Sequence, residues 1–439
     1  MDNTQKGKRS LVRDIAGVFT GNIAAMGAVL LTNIVLSRGL GPSNYGILTS
    51  LLAVLMVSVS IVQLGINRSA VFHLGQQVIP RRTTISSVYT LWAITSLAGI
   101  LISTVSVLVI RNPNFNSLMV VSALLIIPFI LGNLYNSGIF LGLEEIRYSN
   151  MLHYLPAYLT LILSLIFVWV FKLGVTGAIT ASLISALTAF VVATRHLKRE
   201  FEIIIPAPRE AIWSVGRLGV VYAISHMLLQ LNYKADVLML QKMRPASEVG
   251  FYSIGVSITE QLWLIPFTIG LVLLSRTAND TDNTGAAQRT ALLLRIGVML
   301  GVAGSIVLWL LAPLLVPLVF GKPYIASVPI IQAILPGIVI FIIFRLLESH
   351  LAGMGKPYLA IWALVPSLLL NIGLNLWLIP RYGAIGSAWA TNVSYALATV
   401  VYVAIYLRTM KTTLSELFVP GRQDIEKAMR MWKERKKKR

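Results

Sequence analysis

The stretch "KLGVTGAITASLIS" at residues 172–185 returns without a gap as "RYGAIGSAWATNVS" at residues 381–394. The basic first residue, both glycines, one alanine and the final serine coincide. A weaker pair, "LGPSNYG" ending at Gly46 and "RPASEVG" ending at Gly250, has nearly the same offset. Such an internal repeat predicts two similar halves with the same orientation.

The composition around these repeats is typical of a membrane protein. Hydrophobic residues make up 56% of the chain and charged residues only 12%, about half the charged share of a soluble domain. Apolar runs of roughly 20 residues recur along the chain, as transmembrane helices require. Cysteine is absent, which excludes disulfides and thiolate metal sites.

Polar and helix-breaking residues divide the apolar sequence into about twelve predicted spans. Their approximate limits are 15–37, 47–66, 85–110, 118–141, 151–171, 175–194, 214–233, 248–274, 291–317, 325–352, 358–379 and 385–407. An even number puts both termini on one side, and most of the 37 lysines and arginines fall on that side. The positive-inside rule makes it cytoplasmic.

We therefore predict an all-α polytopic membrane protein with two pseudo-symmetric six-helix bundles. The expected parts are a cytoplasmic N-terminal segment (1–14), a six-helix lobe (15–194), a cytoplasmic linker (195–213), a second lobe (214–407) and a basic cytoplasmic tail (408–439). The net charge is +20. We interpret the tail as binding anionic membrane lipids, at about 1 kcal/mol per charge, and not nucleic acid.

Several function classes are disfavoured. No predicted outer loop is long enough to carry the catalytic carboxylates of a membrane glycosyltransferase or polymerase. No GxxxxGK[ST] motif occurs, so the chain does not hydrolyse ATP itself. Five histidines without clustered carboxylates argue against a metal site, and no cofactor is expected.

Three motifs carry a family resemblance. "LSRGLGPSNYGIL" (36–48) resembles the R-x-LGP-xx-YG segment of Wzx-type oligosaccharide flippases, in the polysaccharide transporter family of the multidrug/oligosaccharidyl-lipid/polysaccharide (MOP) flippase superfamily. "ADVLMLQKMRPASEVGFYSIG" (235–255) and "YGAIGSAWAT" (382–391) resemble its later motifs. The resemblance implies a non-enzymatic, two-lobed transporter with a polar cavity, which exports a lipid-diphosphate-linked glycan.

Charged residues inside spans are costly and usually face a cavity or a partner. Those predicted to lie towards the cytoplasmic side are Arg68, Arg217, Arg295 and Arg345. Arginine binds phosphate bidentately, so we expect these residues to hold a lipid diphosphate. The alternatives are snorkelling to headgroups and, for Arg345, an ion pair with Glu348 at i+3.

Arg38 lies in the predicted outer connection between the first two spans and has a counterpart in Lys242. We expect it to act at an outer gate or glycan exit, or to anchor a headgroup.

Stripes of polar residues on several spans predict a sugar-binding surface. Its expected members are His226, Gln230 and Tyr233 in span seven, Gln63 and Asn67 in span two, and Asn33 in span one. Interhelical hydrogen bonds, worth about 0.6 kcal/mol each, are the alternative. Glu260, Asp236 and Glu348 are candidates for coupling to a proton or sodium gradient, because a buried carboxylate can carry a proton.

The predicted function is a flippase for a polyprenyl-diphosphate-linked oligosaccharide, in the cell (plasma or inner) membrane with both termini cytoplasmic. Membrane lipids and other polysaccharide-assembly proteins are its expected further partners. The alternatives are an ion-coupled drug antiporter of the same superfamily, a membrane glycosyltransferase or polymerase, and a non-catalytic assembly scaffold.

Overall fold

The structure is a computed structural model. It describes residues 3–264, 269, 286–354 and 356–419. Within these ranges, the side chains are described except those of residues 3–24, 26, 221, 222, 225, 226, 286, 287 and 289. The described part is helical almost throughout and contains no strand. The all-α prediction is confirmed.

Thirteen α-helices lie in the described part. They are α1 (Asn3–Val62), α2 (Ile66–Gln76), α3 (Arg81–Ile110), α4 (Ser117–Leu124), α5 (Ile126–Gly142), α6 (Ile146–Ser164), α7 (Gly174–Glu200), α8 (Arg209–Met243), α9 (Ala246–Thr259), α10 (Ala286–Val319), α11 (Ser327–Gly353), α12 (Ile361–Met410) and α13 (Leu414–Phe418). A π-helical turn follows α6, and 3₁₀ turns follow α9 and precede α11 and α12.

Eight segments of the described chain are long and apolar enough to cross a membrane. One of them, Gly27–Val62, overlaps two predicted spans, and another, Pro357–Met410, contains two. A helix of 36 residues is roughly 54 Å long, well above the roughly 30 Å hydrocarbon thickness. The predicted span at 214–233 lies in α8, which is not among the eight. The one at 248–274 continues beyond the described residues.

Both long segments are broken at a glycine. Gly41 has φ 72° and ψ 171°, and Gly383 has φ 57° and ψ −138°. Only glycine adopts such angles without strain. Pro42 follows the first break, where its missing N–H suits the first position of a new helix. The motif at 36–46 and the second repeat copy thus encode the two interruptions locally.

The two copies of the repeat have the same local structure. Gly174 and its counterpart Gly383 both have positive φ, 59° and 57°. A Cβ on Gly177 would lie 2.8 Å from the side chain four residues earlier, and one on its counterpart Gly386 would lie 3.1 Å from the side chain four residues earlier. The aligned glycines of the two copies therefore have similar backbone conformation and similar close packing.

The weaker pair of motifs meets directly. Gly46 in α1 has no room for a Cβ because the Ala246 carbonyl of α9 occupies that place. Gly250 in α9 has no room for one because of the Pro42 carbonyl. Gly46 lies four residues after Pro42, and Gly250 lies four residues after Ala246. The two segments therefore make the same contact with each other in both directions.

Equivalent residues also meet one turn further along. Ser253 Oγ donates a hydrogen bond to Thr49 Oγ1 at 3.0 Å, and each residue follows its glycine by three positions. Contacts between equivalent positions indicate a local two-fold axis. We call this interface, formed by Pro42, Gly46 and Thr49 with Ala246, Gly250 and Ser253, the α1–α9 contact. Small residues allow such close approach in membranes.

Replacing Gly46 by alanine is expected to destabilise the protein. The new Cβ overlaps backbone atoms, which cannot rotate away, so we expect the free energy of unfolding to fall by about 1–3 kcal/mol. Gly27→Ala is the matched control, because this exposed glycine of α1 has nothing within 4 Å of a Cβ. Thermal unfolding in detergent checks both, and equal melting temperatures for the two variants would show that the close contact is not formed.

The chain divides into two compact units. The first contains Met1–Ile254 and Val316–Ile325, and the second contains Gly255–Leu315 and Ala326–Arg439. The α1–α9 contact lies within the first unit. The division into six-helix lobes around a linker at 195–213 stays a prediction. Within that linker the segment between α7 and α8 is short, residues 201–208.

Candidate substrate-binding site

Two cavities of the first unit lie along the N-terminal part of α8. The α3–α8 groove, of about 760 Å³, is lined by Leu64, Leu91, Arg209, Ile212, Trp213, Gly216, Arg217 and Val220. The α2–α8 groove, of about 420 Å³, is lined by Phe72, His73, Val78, Glu210, Trp213, Ser214, Arg217 and Leu218. Trp213 and Arg217 line both grooves, so one cation serves two largely apolar cavities.

Helical spacing explains which side chains of α8 meet here. Arg209, Trp213 and Arg217 follow each other at intervals of four and share one face. Trp213 is 71% exposed, and both arginines are exposed as well. The arginines are two turns apart, about 12 Å along the axis. Among the residues that the structure describes, no carboxylate lines the α3–α8 groove, whereas Glu210 lines the α2–α8 groove.

Hydrogen bonds fix α8 against α2. Ser69 Oγ donates to the Val215 carbonyl at 2.6 Å, and His73 Nε2 lies 3.0 Å from Ser214 Oγ. Gly219 packs directly on the backbone of the turn before α2. The α2–α8 groove therefore has a rigid base.

The short linker fixes the start of α8. The Ile204 N–H donates to Ser86 Oγ, and the Ala207 N–H donates to Thr90 Oγ1, both at 3.0 Å. Both acceptors belong to α3. The linker thus places Arg209 and Trp213 beside the helix that forms the other wall of the α3–α8 groove.

The three residues predicted near the end of span two have different surroundings. Arg68 is exposed on α2, one turn before Phe72 and on the same helical face. Gln63 is buried, and its carbonyl accepts a hydrogen bond from the Tyr135 hydroxyl at 3.1 Å. Asn67 accepts from the Arg68 N–H at 2.8 Å. Gln63 and Asn67 line neither groove.

The polar stripe of α8 lies further along the helix than the grooves. His226 is outside the described side chains. Gln230 and Tyr233 are half-buried, as is Asn33 in α1. Asp236 is buried and accepts a hydrogen bond from the Tyr252 hydroxyl at 2.7 Å. The sugar-binding and ion-coupling roles expected for these residues stay predictions.

Arg38 contacts the end of a distant helix. Its Nε donates to the Val319 carbonyl at 2.7 Å, and its Nη2 donates to the Leu318 carbonyl. The last carbonyls of α10 lack partners within the helix and carry partial negative charge. Arg38 is therefore a C-terminal cap of α10. The gate, glycan-exit and headgroup roles expected for it stay predictions.

Arg295, in the second unit, also binds backbone. Its Nε donates to the Leu417 carbonyl at 3.1 Å, and its Nη2 donates to the Glu416 carbonyl. The pKa of the Glu416 carboxyl lies below its usual value because the Thr412 hydroxyl and the Thr413 backbone N–H donate to it. Arg295 thus holds α13 against α10, and we leave it out of the proposed site.

The remaining charged candidates belong to the second unit. Arg345 and Glu348 are half-buried, three residues apart on α11, and Glu260 is half-buried in the 3₁₀ turn after α9. None of the three lines either groove of α8. Their roles in diphosphate binding and ion coupling stay predictions.

Sequence reasoning missed two features. Arg209 and Trp213 were not singled out, although their spacing from Arg217 was a usable signal. The expectation that carboxylates do not cluster with histidine is wrong, because ligand atoms of Glu145, His196 and Glu200 all lie within 4.8 Å of one another.

A family model described as polysaccharide biosynthesis protein matches residues 11–274. This chain belongs to that family. A second family model, MatE, matches residues 222–377 of the chain. No curated protein sequence matches the chain.

Solved structures of transporters have the same fold as this family member. The lipid II flippase MurJ, in an inward closed conformation, has a TM-score of 0.75 at 14% identity, over 91% of this chain and 88% of that one. An inward-facing multidrug resistance MATE family transporter of the MOP superfamily has a TM-score of 0.64 at 17% identity, over 88% of this chain and 94% of that one. A Vibrio cholerae MATE transporter has a TM-score of 0.61 at 14% identity, over 93% of this chain and 99% of that one.

The family match places the protein in a polysaccharide biosynthesis family, and its polytopic all-α fold is that of solved transporters, one of them named as a member of the MOP superfamily. They agree with the expectation that it is not an enzyme. Its assignment to the Wzx-type branch stays a prediction.

Proposed function

We propose that this protein is a flippase that moves a polyprenyl-diphosphate-linked oligosaccharide from the cytoplasmic to the outer leaflet by alternating access. The observation that carries the proposal is the position of Arg217, which lines both of the largely apolar grooves of α8. A lipid with a long hydrocarbon chain and a doubly charged headgroup needs an apolar groove beside a cation.

The charges of the α3–α8 groove favour an anion. Arg217 is exposed, so its five N–H donors are accessible to a diphosphate. A charge-assisted hydrogen bond contributes about 1.5–3 kcal/mol. Arg209 is too far along the helix to share the same phosphate closely, but it adds to the positive potential that attracts an anionic headgroup.

The depth of the groove suits the inner leaflet. Arg209 is the first residue of α8 and Arg217 lies two turns further, at the helix end that the charge distribution assigns to the cytoplasm. The exposed indole of Trp213 lies between them, and tryptophan is enriched at the headgroup level of membranes. Cytoplasmic termini and a plasma or inner membrane location are parts of the proposal.

The family supports the substrate class. The family is described as one of polysaccharide biosynthesis, which suits a glycan substrate, and a structural neighbour is named a lipid II flippase. The glycan, the Wzx-type branch, coupling to a proton or sodium gradient, and contacts with polysaccharide-assembly proteins belong to the proposal as well.

An ion-coupled antiporter for cationic drugs is the second candidate, because several neighbours are MATE transporters. Its substrates would meet two exposed arginines and no carboxylate in the α3–α8 groove. Coulomb repulsion disfavours a cation there. The charge of the groove therefore favours the lipid diphosphate over a cationic drug.

Transport by purified protein in liposomes tests the proposal. The liposomes are offered a labelled polyprenyl-diphosphate oligosaccharide and, in parallel, a fluorescent cationic drug with an imposed proton or sodium gradient. We expect movement of the lipid and no gradient-dependent drug movement. Drug movement without lipid movement would support the antiporter instead.

A further inference from the structure

Three ionisable side chains meet at one end of α6 and α7. Glu145 is the residue before α6, and His196 and Glu200 lie in the last two turns of α7. His196 Nε2 lies 3.0 Å from Glu145 Oε2 and 3.7 Å from Glu200 Oε1. We call these three residues the α6–α7 cluster. It is separate from both grooves of α8.

We propose that the α6–α7 cluster is a binding site for a divalent transition-metal ion, with Zn²⁺ as the best fit. One imidazole nitrogen and two carboxylate oxygens would supply three ligands and leave a fourth position for water. This donor set suits zinc better than magnesium or calcium, which prefer oxygen ligands alone. The proposal does not depend on the transported substrate.

The two distances from His196 are close to those of a zinc site. Zinc binds imidazole nitrogen and carboxylate oxygen at about 2.0–2.2 Å, so two ligand atoms of a tetrahedral site are about 3.4 Å apart. The two distances from His196 Nε2, 3.0 and 3.7 Å, lie on either side of that value. Shifts of a few tenths of an ångström would bring both carboxylate oxygens to the ligand spacing from His196 Nε2. The Glu145 and Glu200 oxygens, which lie within 4.8 Å of each other, would approach to the same spacing when the ion binds.

The ligands are held in place before any ion binds. The Tyr148 ring stacks on the His196 imidazole with centroids 3.8 Å apart and planes 19° apart. His196 and Glu200 are one helical turn apart and share a face of α7. The side chains of His196 and Glu145 are only 19% and 25% exposed, whereas that of Glu200 is 48% exposed and gives an ion access.

The charges of the cluster call for a cation. Two carboxylates face a single imidazole nitrogen, whose one proton cannot satisfy both. The C-terminal end of α7 adds partial negative charge. Lys198 and Arg199 lie in the same turn but are exposed, and neither forms an ion pair with the cluster in the described part of the chain. A divalent ion would replace the Nε2 proton and neutralise both carboxylates.

An ion at this position would join the start of α6 to the end of α7. It binds the folded protein only, so it would add stability in proportion to its affinity and concentration. The sequence assigns this end of the helices to the cytoplasmic side, so the site would respond to the metal level there.

Zn²⁺ titration of the full-length protein tests the proposal, with a purification tag that contains no histidine. Isothermal titration calorimetry should show one Zn²⁺ bound per chain. Glu145→Gln and His196→Gln should each weaken Zn²⁺ binding by about tenfold or more. Loss of a residue that only supports a metal ligand already weakens binding by about tenfold, and these variants change the ligands themselves. His153→Gln is the control, because this exposed histidine of α6 lies outside the cluster. Its affinity should equal that of the wild type.

Glu200→Gln covers the case in which the more buried variants fail to fold, because Glu200 is half exposed. It should weaken Zn²⁺ binding and abolish the rise in melting temperature that Zn²⁺ produces in the wild type. No Zn²⁺ binding by the wild type would overturn the proposal. So would binding that all three cluster variants retain unchanged. Neither result bears on lipid transport, which is measured separately.

Discussion

Oxidation of a Thr49→Cys/Ser253→Cys variant should reduce transport to the level of protein-free liposomes, and reduction should restore it. The two hydroxyl oxygens are 3.0 Å apart in the α1–α9 contact, and the backbones beside them touch at Gly46 and Gly250. Such an approach suits the Cα separation of about 4.4–6.8 Å that a disulfide needs. The chain has no cysteine, so the introduced pair is the only one that can react.

The expected loss follows from the position of the contact. It joins equivalent positions of the two repeats, and both segments lie at the end predicted to face outwards. Under the proposed alternating-access transport, release to the outer leaflet would require these two segments to separate. A covalent bond across them should therefore hold the protein closed on that side, and the effect should be nearly complete rather than partial.

A second cysteine pair separates this effect from general rigidity. Ser137 Oγ and Ser149 Oγ, in α5 and α6, are 2.9 Å apart and both residues are buried. Ser137→Cys/Ser149→Cys gives a matched disulfide that does not cross the α1–α9 contact, and it should leave transport unchanged. Undiminished transport by fully oxidised Thr49→Cys/Ser253→Cys protein would show that this contact does not open during the cycle.

Arg217→Gln should lower transport of the lipid-linked oligosaccharide by about 10- to 100-fold at low substrate concentration. The variant loses charge-assisted hydrogen bonds worth about 1.5–3 kcal/mol, and each 1.4 kcal/mol is a factor of about ten. The transport rate of Arg217→Lys should lie between those of the wild type and Arg217→Gln. Lysine keeps the positive charge but lacks the planar guanidinium group that binds phosphate through two hydrogen bonds. Initial rates over a range of lipid concentrations measure the effect.

Arg81→Gln is the control for this experiment. Arg81 is exposed at the start of α3, near the linker that leads to α8, and it lines neither groove. The Arg81→Gln substitution removes the same charge from the same end of the protein. The transport rate of this variant should therefore stay within about twofold of the wild-type rate. Equal rates for Arg217→Gln and wild type would remove Arg217 from the site.

The sequence was sufficient to predict the helices, the repeat and the breaks, because these depend on local properties. Gly41 and Gly383 interrupt helices wherever the surrounding chain lies, since their φ angles are intrinsic to glycine. The offset between Gly46 and Gly250 even marked two positions that meet. Identical local requirements in both copies make such a pattern visible without a structure.

The partners of the charged residues could not be predicted. Arg38 and Arg295 bind backbone carbonyls, which every residue possesses, so no sequence pattern marks the acceptor. The partners of Arg38 are about 280 residues away. His196 and Glu145, 51 residues apart, meet only because α6 and α7 pack together. The predicted depth of Arg295 in a span indicated that it needs a partner, but not which one.

The proposed movement of a lipid-linked diphosphate across a bilayer can be measured directly. The direct measurement uses liposomes with a fluorescent polyprenyl-diphosphate oligosaccharide in both leaflets and a membrane-impermeant quencher outside. With the wild type, quenching should proceed past the outer-leaflet half to near completion. It should stop near one half in protein-free liposomes and with the oxidised Thr49→Cys/Ser253→Cys protein. Quenching that stops near one half with the wild type, over several glycan and prenyl variants, would show that the protein is not a flippase for such lipids.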